Sequence, residues 1–152
     1  MKKYELTAES IVKFGRTLFR IKALVAFGNV EEGELGGFVE KEGNLDQSGN
    51  AWVSDNAWVF GDAQVFRMYH YLTVGPLGSR DGFTTFFRTK HLTIGVKCGC
   101  FKGDIDQFFE AVEKTHGNNK HARAYKAAIA LAKLQIDLDE EDSDEEETGK
   151  ES

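Results

Sequence analysis

Hydrophobic and polar positions repeat with a period of six between Gly43 and Phe66. Read in sixes, this stretch gives GNLDQS, GNAWVS, DNAWVF and GDAQVF. The third position of each unit is Leu or Ala, and the fifth is Val in all units except the first, which has Gln47. A helix repeats about every 3.6 residues and a strand every two, whereas units of six are typical of a β-helix, in which each unit supplies one face and one turn. The pattern predicts a short left-handed-type parallel β-helix.

The same phase extends backwards over residues 31–42 and places Leu35 and Val39 in the interior. Six units make about two coils, which need caps at both ends. We therefore expect either that the flanking segments cap the array or that the chain self-associates as a dimer or trimer. Trp52 and Trp58 lie one unit apart at outward positions, so we expect them to pack on a flank of the chain or on a neighbouring chain.

Alternating strand-forming residues precede the array. Residues 2–25 alternate around Phe14-Gly15, which predicts a β-hairpin with a tight turn at that pair. We assign residues 1–68 to a first domain that contains this hairpin and the array.

Residues 69–136 have a different pattern and form a predicted second domain of α+β type. Three strand-like segments, YHYLTVGPL, FTTFFRT and LTIGVKC, predict an antiparallel meander. A first helix is predicted between an Asp104 N-cap and a Gly117 C-cap, and a second from Asn118 or Asn119 to about Ile136. The apolar stripe of the first helix comprises Ile105, Phe108, Phe109 and Val112. The predicted fold class is thus mixed β and α+β, with antiparallel strands packed on two C-terminal helices.

Charge is distributed unevenly along the chain. Residues 137–152 hold ten acidic residues and one lysine, a net charge of −9, whereas residues 1–136 hold 18 basic and 15 acidic residues, a net charge of +3. Such a block predicts a disordered acidic tail that aids solubility; the alternative is an acidic lure for a basic partner. Because the basic residues of the body are scattered, direct binding of nucleic acid is not expected.

The absence of three sequence features predicts the cellular compartment of the protein. The N-terminus MKKYELTAES has no apolar signal region, and no apolar run approaches the roughly 18–20 residues that span a bilayer. Two cysteines, Cys98 and Cys100, do not form a disulfide framework. We therefore expect a cytoplasmic protein that makes no use of a membrane.

Three stretches of the chain carry a resemblance to a known family. They are KYELTAESIVKFGRTLFRIKALVAFGNVEEGELGGFVEKEGNL (residues 3–45), the six-residue array, and GPLGSRDGFTTFFRTKHLTIGVKCGCFKGDIDQFFEAVEKTHGNNKHARAYKAAIALAK (residues 75–133). The chain resembles small hexapeptide-repeat proteins encoded by bacteriophages and prophages, most of unassigned function. It departs from them at Phe14-Gly15, where Asp-Gly or a similar turn is typical. The resemblance implies a phage accessory protein in a host cytoplasm, and implies no activity.

Catalytic and metal-binding arrangements are few. Acyltransferases with hexapeptide arrays use a His as base, but this array contains no His. Cys98 and Cys100 with His116 and His121 could form a Cys2His2 zinc site, although the spacing is not CxxC. Cys98 or Cys100 with His116 could form a nucleophile pair without a third group to orient it. We expect no enzyme activity, no cofactor and no metal.

A ligand site is the remaining candidate. The segments GSRDG, CGCFKG and THGNNKH are polar, rich in glycine, and fall at the ends of predicted strands or helices. If they converge, they could bind a phosphate or another acidic group of a nucleotide-like ligand. The alternative is three ordinary turns with Asn caps. The candidate ligand-binding residues are Ser79, Arg80, Lys102, His116, Asn118 and Asn119.

Two functional hypotheses follow. The first is a non-enzymatic phage accessory protein that binds and modulates a host protein, including a component of a host defence system. The second is a protein that binds or sequesters a small nucleotide-like ligand through the C-terminal module.

Overall fold

The described part of the chain forms two four-stranded sheets and two C-terminal helices. The computed structural model describes residues 2–54 and 57–139. The first sheet has the strand order β1-β2-β3-β4, and the second has the order β5-β6-β7-β8. The elements are β1 (Tyr4–Lys13), β2 (Arg16–Ala23), β3 (Leu35–Val39), β4 (Trp58–Val59), β5 (Tyr71–Leu77), β6 (Gly82–Arg88), β7 (Ile94–Cys98), β8 (Phe101–Asp104), α1 (Ile105–His116) and α2 (Lys120–Gln135).

The N-terminal hairpin lies where the sequence predicts it. Strands β1 and β2 pair antiparallel, and Lys13 lies opposite Arg16. The two turn residues both have positive φ, 58° at Phe14 and 73° at Gly15. Positive φ at both central residues is characteristic of the tight two-residue hairpin turn. A non-glycine residue at the first position is unfavourable, and Phe14 packs against Phe60, with ring centroids 5.7 Å apart.

The predicted parallel β-helix is wrong, and with it the predicted fold class. The array contributes one two-residue strand, β4, which pairs parallel with β3, and one isolated parallel bridge between Leu45 and Val65. The amide of Ala57 donates a hydrogen bond of 2.9 Å to the carbonyl of Ser54, and a tight turn at residues 60–63 is closed by one of 3.1 Å, so the extended segments are short. The other pairings of these segments are antiparallel. Strand β2 pairs with β3, and residues 62–64 pair with residues 88–90.

The inward side chains of the array are nevertheless buried. The third and fifth positions of the last three units are all at most 2% exposed: Ala51, Val53, Ala57, Val59, Ala63 and Val65. Val39 is buried as predicted, whereas the predicted interior position of Leu35 is wrong, since it is 47% exposed. The period of six therefore reports which side chains face the core, but not which strands pair.

The two tryptophans of the array pack within the chain. Trp52 is 8% exposed, and its ring lies 5.5 Å from that of Phe27 at an edge-on angle. Trp58 is partly buried between Phe38, 6.5 Å away, and the ammonium group of Lys97, 3.8 Å above its ring. Of the two expected arrangements, the structure has packing on a flank, which leaves little of Trp52 for a partner.

The C-terminal part has four strands and two helices. Strands β5 to β8 form an antiparallel meander, one strand longer than predicted. Helix α1 begins at its Asp104 N-cap, whose carboxylate accepts a hydrogen bond of 2.8 Å from the Gln107 amide, and its C-cap is Gly117. One side of the meander packs on the helices around Phe86 and Phe108. The predicted stripe is right except at Phe109, which is 37% exposed.

The two cores meet at β6. Phe86 belongs to the core under the helices, whereas its neighbour Phe87 packs in the core of the first sheet, with its ring 5.6 Å from that of Phe60. The domain boundary at residues 68/69 stays a prediction. The predicted disordered tail lies almost wholly outside the described residues. None of the described helices is long and apolar enough to cross a membrane.

Candidate functional site

A polar cleft of about 810 Å³ lies between the two sheets. Its walls come from the start of β2, the loop after β3, residues 60–64 of the array, the β6–β7 connection and strand β8. Backbone hydrogen bonds join the array to the end of β6 at this cleft. The amide of Gln64 donates one of 2.8 Å to the carbonyl of Arg88, and the amide of Lys90 donates one of 2.8 Å to the carbonyl of Asp62. The cleft is thus built on main-chain pairing between the array and the meander. Its charged and titratable lining residues are Arg16, Lys41, Lys90, Lys102, His91, Asp62 and Asp104.

Arg16 is held at one end of the cleft by Glu40. Its guanidinium Nη1 donates to the two carboxylate oxygens of Glu40 at 2.9 and 3.0 Å. Glu40 also accepts a 2.8 Å hydrogen bond from the Gly61 amide. Burial raises the pKa of Glu40, but the Gly61 amide, the Arg16 guanidinium and the charge of Lys41 outweigh burial and hold the pKa below its ordinary value. Glu40 is therefore ionised and neutralises Arg16.

The three lysines of the cleft have no such partner. Over residues 2–54 and 57–139, no carboxylate lies within ion-pair distance of the ammonium groups of Lys41, Lys90 and Lys102. The two acidic lining residues are engaged elsewhere: Asp104 caps α1, and Asp62 lies 3.6 Å from His91 Nε2. The cleft thus offers three cationic groups to a ligand.

A second, smaller cavity of about 180 Å³ lies between the end of β7 and the helices. The Cys98 thiol lies 3.8 Å from the Tyr125 hydroxyl, and the Tyr125 ring stacks on His116 at 5.8 Å. Burial, together with the neighbouring Cys98, raises the pKa of Tyr125 to about 12. The hydroxyl stays protonated at neutral pH, and the other lining residues are mainly apolar, so this cavity suits a small apolar group.

Two of the predicted ligand residues line different cavities. Lys102 lines the large cleft, and His116 lines the small cavity. Asn119 caps α2 by accepting a 2.9 Å hydrogen bond from the Ala122 amide, and the carbonyl of Asn118 accepts one of 2.9 Å from Arg123. Ser79 and Arg80 are exposed in the β5–β6 turn. The two asparagines therefore fit the alternative interpretation, in which they serve as turn and cap residues.

The cysteines and histidines considered for zinc are not grouped. Cys98 is partly buried at the end of β7, and Cys100 is exposed in the turn to β8. His116 and His121 face each other at 5.8 Å. In the part of the chain that the structure describes, no three His, Cys, Asp or Glu side chains are close enough to hold a metal ion.

Most of the cleft escaped prediction from the sequence. Of its cationic residues, only Lys102 was among the predicted ligand residues. Arg16, Lys41 and Lys90 are far apart in the sequence, and each lies beside an ordinary turn or strand end. The pairing of β2 with β3 brings Arg16 close to Lys41, and the pairing of residues 62–64 with residues 88–90 adds Lys90.

Comparisons with known proteins do not assign a family. No protein-family model matches the chain, and no curated protein matches it. The resemblance to phage-encoded hexapeptide-repeat proteins stays a prediction.

Proposed function

We propose that this chain is a non-enzymatic binding protein whose cleft holds a small, phosphate-bearing, nucleotide-like ligand. The observation that carries the proposal is the set of Lys41, Lys90 and Lys102 around one concave site, each without a carboxylate partner among the described residues. Lysine ammonium groups are established phosphate-binding groups. A cleft with walls of low dielectric constant also concentrates the field of its charges on an anion.

Size and lining agree with such a ligand. A volume of about 810 Å³ lies within the range of about 300–1,000 Å³ found for small-molecule sites. Phe60 and Phe87 contribute apolar surface beside the polar groups. The non-enzymatic part of the proposal rests on the same residues, since the described lining holds no Ser or Cys that could act as a nucleophile.

The resemblance supplies the biological setting of the proposal. A bacteriophage accessory protein in the host cytoplasm could withdraw a nucleotide-like molecule from a host system, including a defence system. Binding without turnover is enough for this role.

Calorimetric titration with inorganic pyrophosphate and with nucleoside mono-, di- and triphosphates tests the proposal. We expect at least one of them to bind, and Lys90→Gln or Lys102→Gln to weaken binding about tenfold, as expected for the loss of about 1.4 kcal/mol. Lys133→Gln is the matched control, because Lys133 is an exposed lysine on α2 outside the cleft. No binding at millimolar concentration of any of these compounds would contradict the proposal.

A second candidate function is binding of a host protein through α2. Leu131 and Leu134 are 43% and 85% exposed on this helix, which contains no acidic residue. Exposed apolar residues flanked by cations fit an acidic partner with an apolar face. Leu134→Glu should abolish recovery of such a partner from host lysate and leave pyrophosphate binding unchanged. The opposite pattern would favour the cleft.

Self-association as a dimer or trimer is also proposed. Strand β1 lies at the edge of the first sheet and carries Val12, which is 72% exposed. An exposed edge strand can pair with a second copy. Light scattering measures the mass in solution directly, and a monomer at all concentrations would refute self-association.

A further inference from the structure

Two lysines lie directly opposite each other in the second sheet. Lys97 of β7 pairs with Lys102 of β8, so their side chains share one face, with Cβ atoms about 5 Å apart. Like charges in directly opposite positions destabilise a sheet. Over residues 2–54 and 57–139, neither ammonium group has a carboxylate within ion-pair distance. The described part of the chain therefore does not neutralise this pair of like charges.

A third cation reaches the same face from the hairpin. Burial lowers the pKa of Lys97, and the charge of Lys13, the last residue of β1, lowers it further. The Lys97 ammonium group lies 3.8 Å above the ring of Trp58, a cation–π contact that fixes its position. Among the described residues, no carboxylate pairs with Lys13 either. Three strands thus bring three unpaired lysines close together.

Lys102 connects these cations to the cleft, because its side chain lines the cleft and lies opposite Lys97. Asp104 lies two residues further along β8, but its carboxylate caps α1 by accepting a 2.8 Å hydrogen bond from the Gln107 amide. We call the combined set the basic surface. It comprises Lys13 and Lys97 outside the cleft and Lys102, Lys90 and Lys41 in the cleft lining.

We propose that the basic surface binds single-stranded nucleic acid, whose successive phosphates contact the lysines inside and outside the cleft. The inference deepens the proposed function and rests on it only in treating the cleft lysines as phosphate-binding groups. Contacts between lysines and several linked phosphates release counterions, which favours binding of a charged chain. The expectation that nucleic acid is not bound rested on the scatter of basic residues along the sequence, and strand pairing brings those residues together.

The concave shape of the site favours a single strand over a duplex. A ligand that contacts Lys13 and Lys97 as well as the cleft lysines must turn into a cleft of about 810 Å³. A duplex is a stiff rod with a persistence length of about 50 nm. A single strand is flexible and leaves its bases free to contact the protein.

An aromatic ring beside the lysines favours nucleic acid over other polyanions. Phe14 is partly exposed in the hairpin turn, and the ammonium group of Lys13 lies 6.0 Å from its ring centroid. Nucleic-acid bases stack on aromatic side chains that lie beside cations, and this contact tolerates any base. Inorganic polyphosphate has the same repeated phosphates but no base to stack on Phe14.

Fluorescence anisotropy with a labelled oligothymidylate of about twelve nucleotides tests the proposal over a range of salt concentrations. Lys13→Gln, Lys97→Gln and Lys102→Gln should each weaken binding and reduce the slope of log K against log salt by about 0.7. Lys133→Gln is the matched control and should change neither. Lys97→Gln also loses the contact with Trp58, so Lys13→Gln is the deciding variant. An unchanged affinity and slope in Lys13→Gln would overturn the proposal.

Two further ligands identify the kind of polyanion. A duplex of the same length should bind more weakly than the single strand, and equal or tighter binding of the duplex would overturn the proposal. Phe14→Leu should weaken oligothymidylate about fivefold or more and leave linear polyphosphate unaffected. If Phe14→Leu changes neither affinity, the site binds a chain of phosphates without reading bases, and nucleic acid is excluded as its specific ligand.

Inorganic pyrophosphate separates this inference from the proposed function. Because Lys13 lies outside the cleft lining, Lys13→Gln should leave pyrophosphate binding unchanged. If pyrophosphate binds and oligothymidylate binds no more tightly, the nucleic-acid proposal fails and the small-ligand site stands. If oligothymidylate binds with the expected dependence on lysines while pyrophosphate and mononucleotides do not bind, the small-ligand proposal fails and the nucleic-acid proposal stands.

Discussion

Replacement of Glu40 by Gln tests how the hairpin is attached to the cleft wall. The carboxylate of Glu40 joins Arg16, at the start of β2, to the amide of Gly61 in the array. Glu40→Gln keeps the shape of the side chain and removes its charge. Since both partners are half-buried, with 36% and 21% of their side chains exposed, the ion pair contributes about 1 kcal/mol to the free energy of unfolding.

The hydrogen bond from the Gly61 amide adds to this value. A bond to a charged acceptor is worth more than one to a neutral acceptor, and the difference is about 0.5–1 kcal/mol. We therefore expect Glu40→Gln to lower the free energy of unfolding by about 1–2 kcal/mol at pH 7.

The pH dependence of this loss has a definite sign. The folded pKa of Glu40 is held below its ordinary value of 4.5, so the unfolded chain takes up its proton first as the pH falls. The stabilisation is complete well above pH 4.5 and is lost as the pH falls through the folded pKa. The difference between the unmodified chain and Glu40→Gln should therefore shrink towards zero at low pH.

Urea unfolding followed by circular dichroism at pH 7 and pH 3 measures both effects. Glu110→Gln is the control, because Glu110 is exposed on α1. An equal loss for Glu40→Gln at the two pH values would refute the electrostatic explanation. So would a loss at pH 7 no larger than that of the control.

Two further predictions concern the core of the first sheet. A Cβ at Gly37 would overlap with two backbone carbonyl oxygens of the array. Gly37→Ala should therefore lower the free energy of unfolding by more than about 3 kcal/mol or prevent folding, as measured by thermal unfolding. Gly43 is the control, because a Cβ there meets no neighbouring atom, and Gly43→Ala should be tolerated. Lys3 is 5% exposed, and burial lowers its pKa from 10.5 to about 8. The unfolded chain then binds more protons between these values, so the free energy of unfolding should rise as the pH increases from 8 to 10.5. Lys3→Met should remove this rise in urea titrations across that range, and an unchanged rise in the variant would assign it to other groups.

Local signals predicted the local elements well. Asp104 and Gly117 mark the ends of α1 because capping depends on the side chain and backbone freedom of single residues. Phe14-Gly15 likewise forms the turn of the first hairpin. The period of six located the buried Val and Ala side chains but misassigned the architecture. Burial depends on which way a side chain points, whereas strand pairing depends on partners distant in the sequence.

Caps, turns and local periodicity do not predict the cleft. Arg16, Lys41, Lys90 and Lys102 are ordinary exposed or half-buried cations when each is read in its own segment. They form a site because strand pairings distant in the sequence, including that of the array with the end of β6, bring these segments together. The local turns that carry Ser79 and Asn118 looked more like a binding site, but these residues remain exposed.

The position of Phe87 has a consequence for the order of events during synthesis. The first sheet buries Phe60 against Phe87, a residue of β6 that leaves the ribosome well after the hairpin and the array. The N-terminal core therefore stays open at this face until β6 has been made. Strands β5 to β8 pair with their neighbours in the chain and pack on the two helices that follow them, and short sequence separations favour rapid folding. We expect the later-made half to close first and to provide the surface on which the earlier-made half completes its core.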